Sequence, residues 1–137
     1  MAIGPGQHYK GGAETDTYTA AETVSPGDAV ALDSNDEVIP ANSGTSEVVL
    51  GVAGFNKDGS DYESGDGVLV TTGGRVLANV ATGVAGGVEV AASATDGELA
   101  AGSGPNGIMT LYSEQSGKYA EGEKDVNIDD GYTLVQL

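Results

Sequence analysis

Apolar and polar residues alternate along short stretches of this chain, which is the period of a half-buried β-strand. Residues 17–24, TYTAAETV, alternate in this way. Residues 25–28, SPGD, then place Pro and Gly at the two central positions that a type II turn prefers. Val30 and Leu32 fall on one face of the next predicted strand, and Val38 returns after a polar turn. We therefore predict a β-hairpin over this region.

The sequence motif at the start of this hairpin occurs more than once. GDAVAL at residues 27–32 recurs as GDGVLV at residues 65–70, and a looser version, GVEV, occurs at residues 87–90. Gly permits the positive φ of a tight turn and Asp can bond its own backbone, so the phrase describes a turn that enters a strand. We interpret each copy as a hairpin module and not as a binding site, with the second copy turning at residues 73–74.

The remaining apolar segments also predict strands. EVVLGVAGF, residues 47–55, is a continuous β-branched run that predicts one buried strand, while IMTLY and YTLVQL predict two more near the end of the chain. No segment carries the i, i+3, i+4 pattern of an amphipathic helix. About ten short strands at regular spacing predict an all-β protein, a single small β-barrel or sandwich over residues 17–137.

Residues 1–16 differ from the rest of the chain and predict an extended N-terminal arm. Gly and Pro interrupt regular structure there, and Met1–Ala13 contains no acidic residue. Such a segment fits a partner that carboxylates would repel; the alternative is a disordered terminus. We expect removal of the arm to leave a folded domain, because no core residue is predicted in it. The residues predicted to contact a partner are Ile3, His8, Tyr9 and Lys10.

Charge narrows the possible partners. The 137-residue chain has 21 acidic residues against five Lys and Arg, a formal net charge of -16. It lacks the clustered basic side chains that bind nucleic acid or anionic membranes, so we predict neither partner. An acidic, Lys-poor composition rich in Gly and Ala is typical of halophile proteins, in which salt screens the repulsion between carboxylates. A merely acidic mesophile protein is the alternative.

Candidate catalytic chemistry is sparse. The chain has no Cys, and its one His lies in the predicted arm, so no base or nucleophile pair is held by a rigid scaffold. GSGPNG at residues 102–107 matches the dinucleotide pattern GxGxxG, but Pro105 interrupts it and a strand follows. We predict no enzyme activity, no catalytic residue and no cofactor.

Two acidic segments match cation sites only in part. Residues 125–131, DVNIDDG, begin like a calcium loop, but the Gly comes one position late and Gln136 stands where the bidentate Glu belongs. A second acidic loop contains Asp58, Asp61, Glu63 and Asp66. We predict no metal site and interpret both segments as solvated loops, with weak cation binding left open.

The modules follow one another in a recognisable order. They are V-x-x-G-D-x-V-x-L at 24–32, G-V-A at 51–53, G-D-x-V-x-V-x-x-x-G-x-V-x-A at 65–78, G-V-x-V at 87–90 and a closing strand at 133–137. This order resembles a family of small capsid cement, or head decoration, proteins of tailed viruses. The resemblance implies a β-rich protein without enzymatic activity that binds the outer surface of an icosahedral shell and clamps neighbouring major capsid proteins. Together with the acidic composition, it implies a haloarchaeal tailed virus.

The size of the chain favours several copies acting together on such a shell. A protein of this mass has about 6,500 Å² of surface, of which one standard interface takes roughly 800 Å². Copies joined by closed symmetry would bind the shell multivalently even if each copy bound weakly. Because capsomers meet at local three-fold positions, we predict a homotrimer there. The apolar segments at 47–55 and 132–137 are candidates for the contact between copies, and both also fit core strands.

Two other functions remain open from the sequence. A turret or spike module that contacts the host surface would account for the long excursion over residues 113–131. A cellular halophile β-domain that binds a ligand is the second alternative. It is disfavoured because no apolar stretch predicts a signal peptide or a membrane span. We therefore expect the protein to be made in the host cytoplasm, and either to stay in the cell or to leave it by lysis, with the outer capsid surface of the virion as its location.

The high net charge predicts that salt stabilises the isolated protein. Because a net charge of -16 opposes compaction, and a Debye length of about 3 Å at 1 M salt removes most of that repulsion, the isolated protein should melt at a markedly higher temperature in molar salt. Thermal melts in dilute buffer and in molar NaCl measure the effect. An unchanged midpoint would contradict adaptation to salt.

Overall fold

Ten antiparallel strands make up the regular structure of the residues that the structure describes. The computed structural model describes residues 5–8, 13–114 and 131–137, and every regular element within them is a strand, which confirms the all-β prediction. The strands are β1 Glu14–Thr19, β2 Ala29–Leu32, β3 Val38–Pro40, β4 Gly51–Ala53, β5 Gly67–Gly73, β6 Arg75–Asn79, β7 Glu89–Ala92, β8 Leu99–Ala101, β9 Ile108–Thr110 and β10 Tyr132–Gln136.

The strands form two five-stranded sheets with the same topology. The first sheet has the order β1-β5-β4-β2-β3, and the second has the order β6-β10-β9-β7-β8. The second order is the first with five added to each strand number, and every pairing in both sheets is antiparallel. The fold is therefore a small β-sandwich in which one five-strand arrangement occurs twice.

Two of the three predicted hairpins are confirmed and one is wrong. β2 pairs with β3, and β7 pairs with β8. β5 and β6, the strands of the second sequence copy, belong to different sheets instead of pairing. Gly73 and Gly74 therefore form the crossover between the sheets. The topological counterpart of β2 is β7, so the looser GVEV phrase marks the structural repeat, whereas the closer GDGVLV phrase does not.

The turn chemistry of the repeated phrase is confirmed in atomic detail. Gly27 and Gly65 have φ values of 90° and 92°, in the region that Gly adopts without strain. The backbone N–H of Asp28 donates to Ser25 O, and the carboxylate of Asp28 accepts from the Ser25 N–H, both at 3.0 Å. Asp66 makes the same pair of bonds with Glu63, at 2.9 and 2.8 Å. The phrase is therefore a self-bonded turn.

Three apolar layers stabilise the sandwich. The layer between the sheets consists mainly of Val and Ala, with Leu99 and Ile108 at one side. A second layer lies on the outer face of the first sheet, where Tyr62 and Val24 from the connecting segments cover Val30 and its neighbours. A third, smaller layer on the outer face of the second sheet contains Leu77 and Leu134. Both faces of each sheet are therefore at least partly covered.

The apolar run at residues 47–55 does not form one buried strand. Only Gly51–Ala53 pairs as β4. Val48 is 63% exposed and Phe55 is 39% exposed. The prediction is wrong at both ends of the run, because the chain enters and leaves the sheet there and only the central residues have strand neighbours on both sides.

The predicted arm contributes to the fold. The first strand begins at Glu14, three residues before the predicted start, and pairs with β5. The Gly6 N–H donates to Leu77 O at 2.8 Å, and the Leu77 N–H donates to Gln7 O at 3.0 Å. Residues 5–8 therefore lie along the outer edge of β6. These bonds oppose the expectation that removing the arm leaves the domain intact, but that expectation and the division at residue 16 both stay predictions.

Replacing Gly6 by Ala should loosen the docked arm. Ala at a φ of +78° is strained, and its Cβ would collide with the backbone of residues 53–55. We expect the Leu77 amide, which donates to Gln7 O, to exchange its hydrogen at least about tenfold faster. The amide of Leu111, which donates to Leu134 O on the other side of the sheet, should keep its rate.

The matched control is Gly65→Ala. Gly65 has a φ of +92°, and no atom lies within 4 Å of the position that an alanine Cβ would take, so this variant reports strain alone, about 1–2 kcal/mol. Amide exchange by NMR compares the two variants. Wild-type exchange at Leu77 in Gly6→Ala would mean that the arm does not depend on this close approach.

Candidate interaction surface

Of the four predicted contact residues, the structure describes only His8. Its Nε2 lies 2.9 Å from Thr71 Oγ1, and its backbone bridges to Val76. Thr71 belongs to the first sheet and Val76 to the second, so His8 links the two sheets while its side chain remains largely exposed. The other three predicted contact residues, Ile3, Tyr9 and Lys10, lie outside the described residues.

Several large apolar side chains of the described residues are exposed, and two of them belong to the 47–55 segment that the sequence offered as a contact between copies. The large exposed ones are Leu32, Val48, Phe55, Leu69 and Met109. Leu32 and Val48 come together with the half-buried Leu50 and line an apolar hollow of about 160 Å³. We call this feature the Val48 hollow. It opens beside the end of the β2–β3 hairpin, on the face of the first sheet that carries Val30.

An asparagine fixes the backbone beside Val48. The Val49 N–H donates to Asn106 Oδ1, and Asn106 Nδ2 donates to Val49 O, both at 2.8 Å. Val49 itself is 5% exposed, and the Leu50 N–H donates to Val30 O at 2.7 Å. Successive side chains of an extended backbone point to opposite sides, so burying Val49 turns Val48 outward.

The same asparagine belongs to the segment that matches the GxGxxG pattern. Residues 102–107 connect β8 to β9, and no helix follows them, which confirms that the segment is a loop between strands. Asn106 acts there like a peptide group of an additional strand. The sequence contains a signal for this role, an Asn in a Gly-rich turn, but not the identity of the partner backbone, which lies 57 positions earlier.

Acidic residues adjoin two lining residues of the Val48 hollow in the sequence. Asp33 follows Leu32 directly, and Glu47 precedes Val48. Asp33 Oδ1 accepts the N–H groups of Asn35 and Glu37, at 2.8 and 3.0 Å, and so holds the β2–β3 turn in place. Residues 11–56 contain no Lys or Arg. The lining of the hollow is therefore apolar, and the part of the chain that supplies it has no basic residue.

The acidic loop after β4 is ordered by its own side chains. The Tyr62 hydroxyl donates to Gly54 O at 2.8 Å, and Tyr62 exchanges backbone bonds with Val24. Hydrogen bonds from Ser60 lower the pKa of the fully exposed Asp58. Within the described residues, no group of three or more His, Asp or Glu is placed to hold a metal ion. The other acidic segment, residues 125–131, lies outside the described part except for Gly131.

A search for membrane-spanning helices gives a negative result for the part of the chain that the structure describes. None of its residues belongs to a helix of sufficient length and apolarity to cross a bilayer.

Asp28 is less exposed to solvent than Asp66, the equivalent residue of the other Gly-Asp turn. Burial raises the pKa of its carboxyl, and the charges of Asp61 and Asp96 add to the increase. Hydrogen bonds from the Ser25 N–H and from Asn79 Nδ2, the latter at 3.3 Å, lower it in part. The ionised form of Asp28 therefore costs folding free energy at neutral pH, even though its hydrogen bonds are satisfied.

Asp28→Asn should stabilise the protein in a pH-dependent way. The amide keeps an acceptor for the Ser25 N–H and can donate to the Asn79 amide after that side chain flips, but it carries no charge. A raised folded pKa means that wild-type stability from this group falls as pH rises through that pKa. The variant should therefore be more stable than wild type at pH 7, where the carboxyl of Asp28 is ionised at a cost and the amide carries no charge. The gain should vanish below about pH 4, where unfolded Asp is protonated as well.

Denaturant unfolding across this pH range tests the effect. Asp66→Asn is the matched control, because it changes the same turn at an exposed position. A stability difference between wild type and Asp28→Asn that does not change with pH would rule out the titration of Asp28 as its cause.

Comparison with known proteins supplies the family. A search of curated proteins finds no match. The XM1 gp53 minor capsid protein family matches residues 5–136, which is nearly the whole chain and includes both sheets and the docked arm segment. The chain therefore belongs to the XM1 gp53 minor capsid protein family and is a structural protein associated with a viral capsid.

Proposed function

We propose that this protein decorates the outer surface of an icosahedral capsid and clamps neighbouring major capsid proteins, without catalysing a reaction. The observation that carries the proposal is the match of nearly the whole chain to a minor capsid protein family. The sandwich supports it, because it leaves large apolar side chains at its surface. We further propose that no nucleic acid or membrane is bound.

A homotrimer at the local three-fold positions is the assembly that we propose. The chain exposes 6466 Å², and one standard interface uses roughly 800 Å² of it per partner. A single copy can bury only a small area at the boundary between capsomers, so its affinity is limited. Three linked copies bind more tightly, because each raises the effective concentration of the others at the shell. The exposed ends of the 47–55 segment leave apolar area available for contacts between copies or with the capsid.

The arm is proposed to contribute contacts through Ile3, Tyr9 and Lys10. Residues 5–8 are engaged with β6 and β5, so deleting the arm would change stability and attachment together. Substitution of Ile3, Tyr9 and Lys10, with thermal melts beside capsid binding, measures the two effects separately. His8 is a weaker candidate for a contact, because its side chain already bonds to Thr71 within the chain.

The host proposed for the virus is a halophilic archaeon, because the charge of -16 requires screening. A turret or spike on the same virion is the alternative function. The feature that would favour it, the excursion at 113–131, lies mostly outside the described residues. A cellular ligand-binding module loses its support, since the family match is to a capsid protein.

Purified virions test the proposed function. Quantitative mass spectrometry should give a copy number close to that of the major capsid protein, and a virion density map should place three copies around each local three-fold position on the outer surface. A few copies per virion, or five- or six-fold rings over capsomer centres, would favour the turret. Isolated monomers in the map would contradict the trimer and leave decoration standing.

A further inference from the structure

Asn106 is the only Asn of the chain that Gly follows. It lies in the largely exposed loop between β8 and β9. Gly107 has a φ of +64°, and apart from its chain neighbours no atom lies within 4 Å of the position that a Cβ would take. Asn is among the thermolabile residues of proteins. Here no side chain at residue 107 shields the backbone nitrogen that stands next to the Asn106 side chain.

The reaction open to this pair of residues is loss of the side-chain amide. The backbone nitrogen of Gly107 forms a bond to Asn106 Cγ, and the Nδ2 group leaves as ammonia with the proton that the Gly107 nitrogen gives up. The product is a cyclic imide. Water then opens either C–N bond of the ring and yields aspartate or isoaspartate. Water is the only co-reactant, and nothing is oxidised or reduced.

Hydrogen bonds to Val49 oppose this reaction in the folded chain. Asn106 Oδ1 accepts from the Val49 N–H, and Asn106 Nδ2 donates to Val49 O, both at 2.8 Å. We call this pair of bonds the Asn106–Val49 contact. Ring closure requires rotation of the Asn106 amide, which breaks both bonds. The rate of the reaction is therefore the rate in a free segment multiplied by the fraction of molecules in which the contact is open.

The Asn106–Val49 contact also links the two sheets. Val49 precedes β4 of the first sheet, whereas Asn106 lies in a connection of the second sheet. A carboxylate at position 106 keeps an acceptor for the Val49 N–H, but it has no proton to donate to Val49 O. Placing a carboxylate oxygen against that carbonyl oxygen is unfavourable. Isoaspartate also inserts an additional carbon into the backbone of the loop. Either product therefore weakens the link.

We propose that Asn106–Gly107 is a site of spontaneous deamidation and that the Asn106–Val49 contact sets its rate. The reaction is slow while the loop is docked on Val49 and proceeds when the contact opens. Each conversion is permanent, because the ammonia is lost to solvent. Modified chains therefore accumulate where the loop has separated from the first sheet, and the modification keeps the loop from docking again. The site does not depend on what the protein binds.

The site is tested by incubating the full chain at mildly alkaline pH, both folded and in denaturant. Peptide mapping by mass spectrometry measures the fraction of each Asn that is converted. In denaturant, Asn106 should convert faster than any other Asn of the chain. In the folded chain its conversion should be at least about tenfold slower than in denaturant. No conversion of Asn106 in denaturant would overturn the site, and equal rates in the two states would overturn the control by the contact.

Gly104→Ala tests the control of the rate within the folded state. A Cβ at Gly104 would stand 2.6 Å from Ala91 Cβ, so the loop has to move away from β7 at a position two residues before Asn106. The variant should deamidate several-fold faster than wild type, and hydrogen exchange of the Val49 amide should accelerate by a similar factor. Ser103→Ala changes an exposed side chain of the same loop and should keep both wild-type rates. Deamidation of folded Gly104→Ala at the wild-type rate would overturn the control by the contact.

Asn106→Asp tests the consequence of the modification. The variant lacks the donor to Val49 O, so its thermal midpoint should fall and the Val49 amide should exchange at least about tenfold faster. Asn35→Asp is the matched control, because it makes the same charge change at an exposed turn position and should leave exchange at Val49 unchanged. Wild-type exchange at Val49 in Asn106→Asp would mean that deamidation does not weaken the link between the sheets.

Discussion

The close approach of the two sheets is the constraint on which the rest of the structure depends. Val and Ala fill most of the seam between them, and such short side chains let the two backbones lie close together. That closeness leaves no room for a Cβ at Gly6, which is bonded to β6 of the second sheet and faces Ala53 O of the first. It also lets one short arm segment bond to both sheets. A seam filled by Leu and Phe would separate the sheets and remove this link.

Acidic side chains hold the turns together in addition to carrying charge. The carboxylates of Asp28, Asp33 and Asp66 each accept backbone N–H groups at the turns that begin or end strands. These bonds offset part of the repulsion that a charge of -16 creates. The charge cannot be reduced freely, because several of the carboxylates are also the turn-forming groups. Stability and ionic strength are therefore coupled through the turns themselves.

The sequence predicted strands and turns well because both are local properties. Alternation and the Gly-Asp turn need only a few neighbouring residues, and the turns at Gly27 and Gly65 formed as expected. Strand partners are not local: the residues after Gly73 look like the return of a hairpin, yet they pair with β10 in the other sheet. The arm was underestimated for the same reason, since its bonds to Leu77 and Thr71 join residues far apart in the chain.

The surface site was harder to predict than the fold, and its exposure has a consequence for a capsid-associated protein. The apolar run at 47–55 indicates burial, but Asn106 turns the buried side of the backbone toward Val49 and leaves Val48 outward. The apolar area at Val48 attracts other surfaces without regard to their identity, because the hydrophobic effect has no direction. Such an area is available both to a partner on the capsid and to the contacts between copies in the proposed trimer.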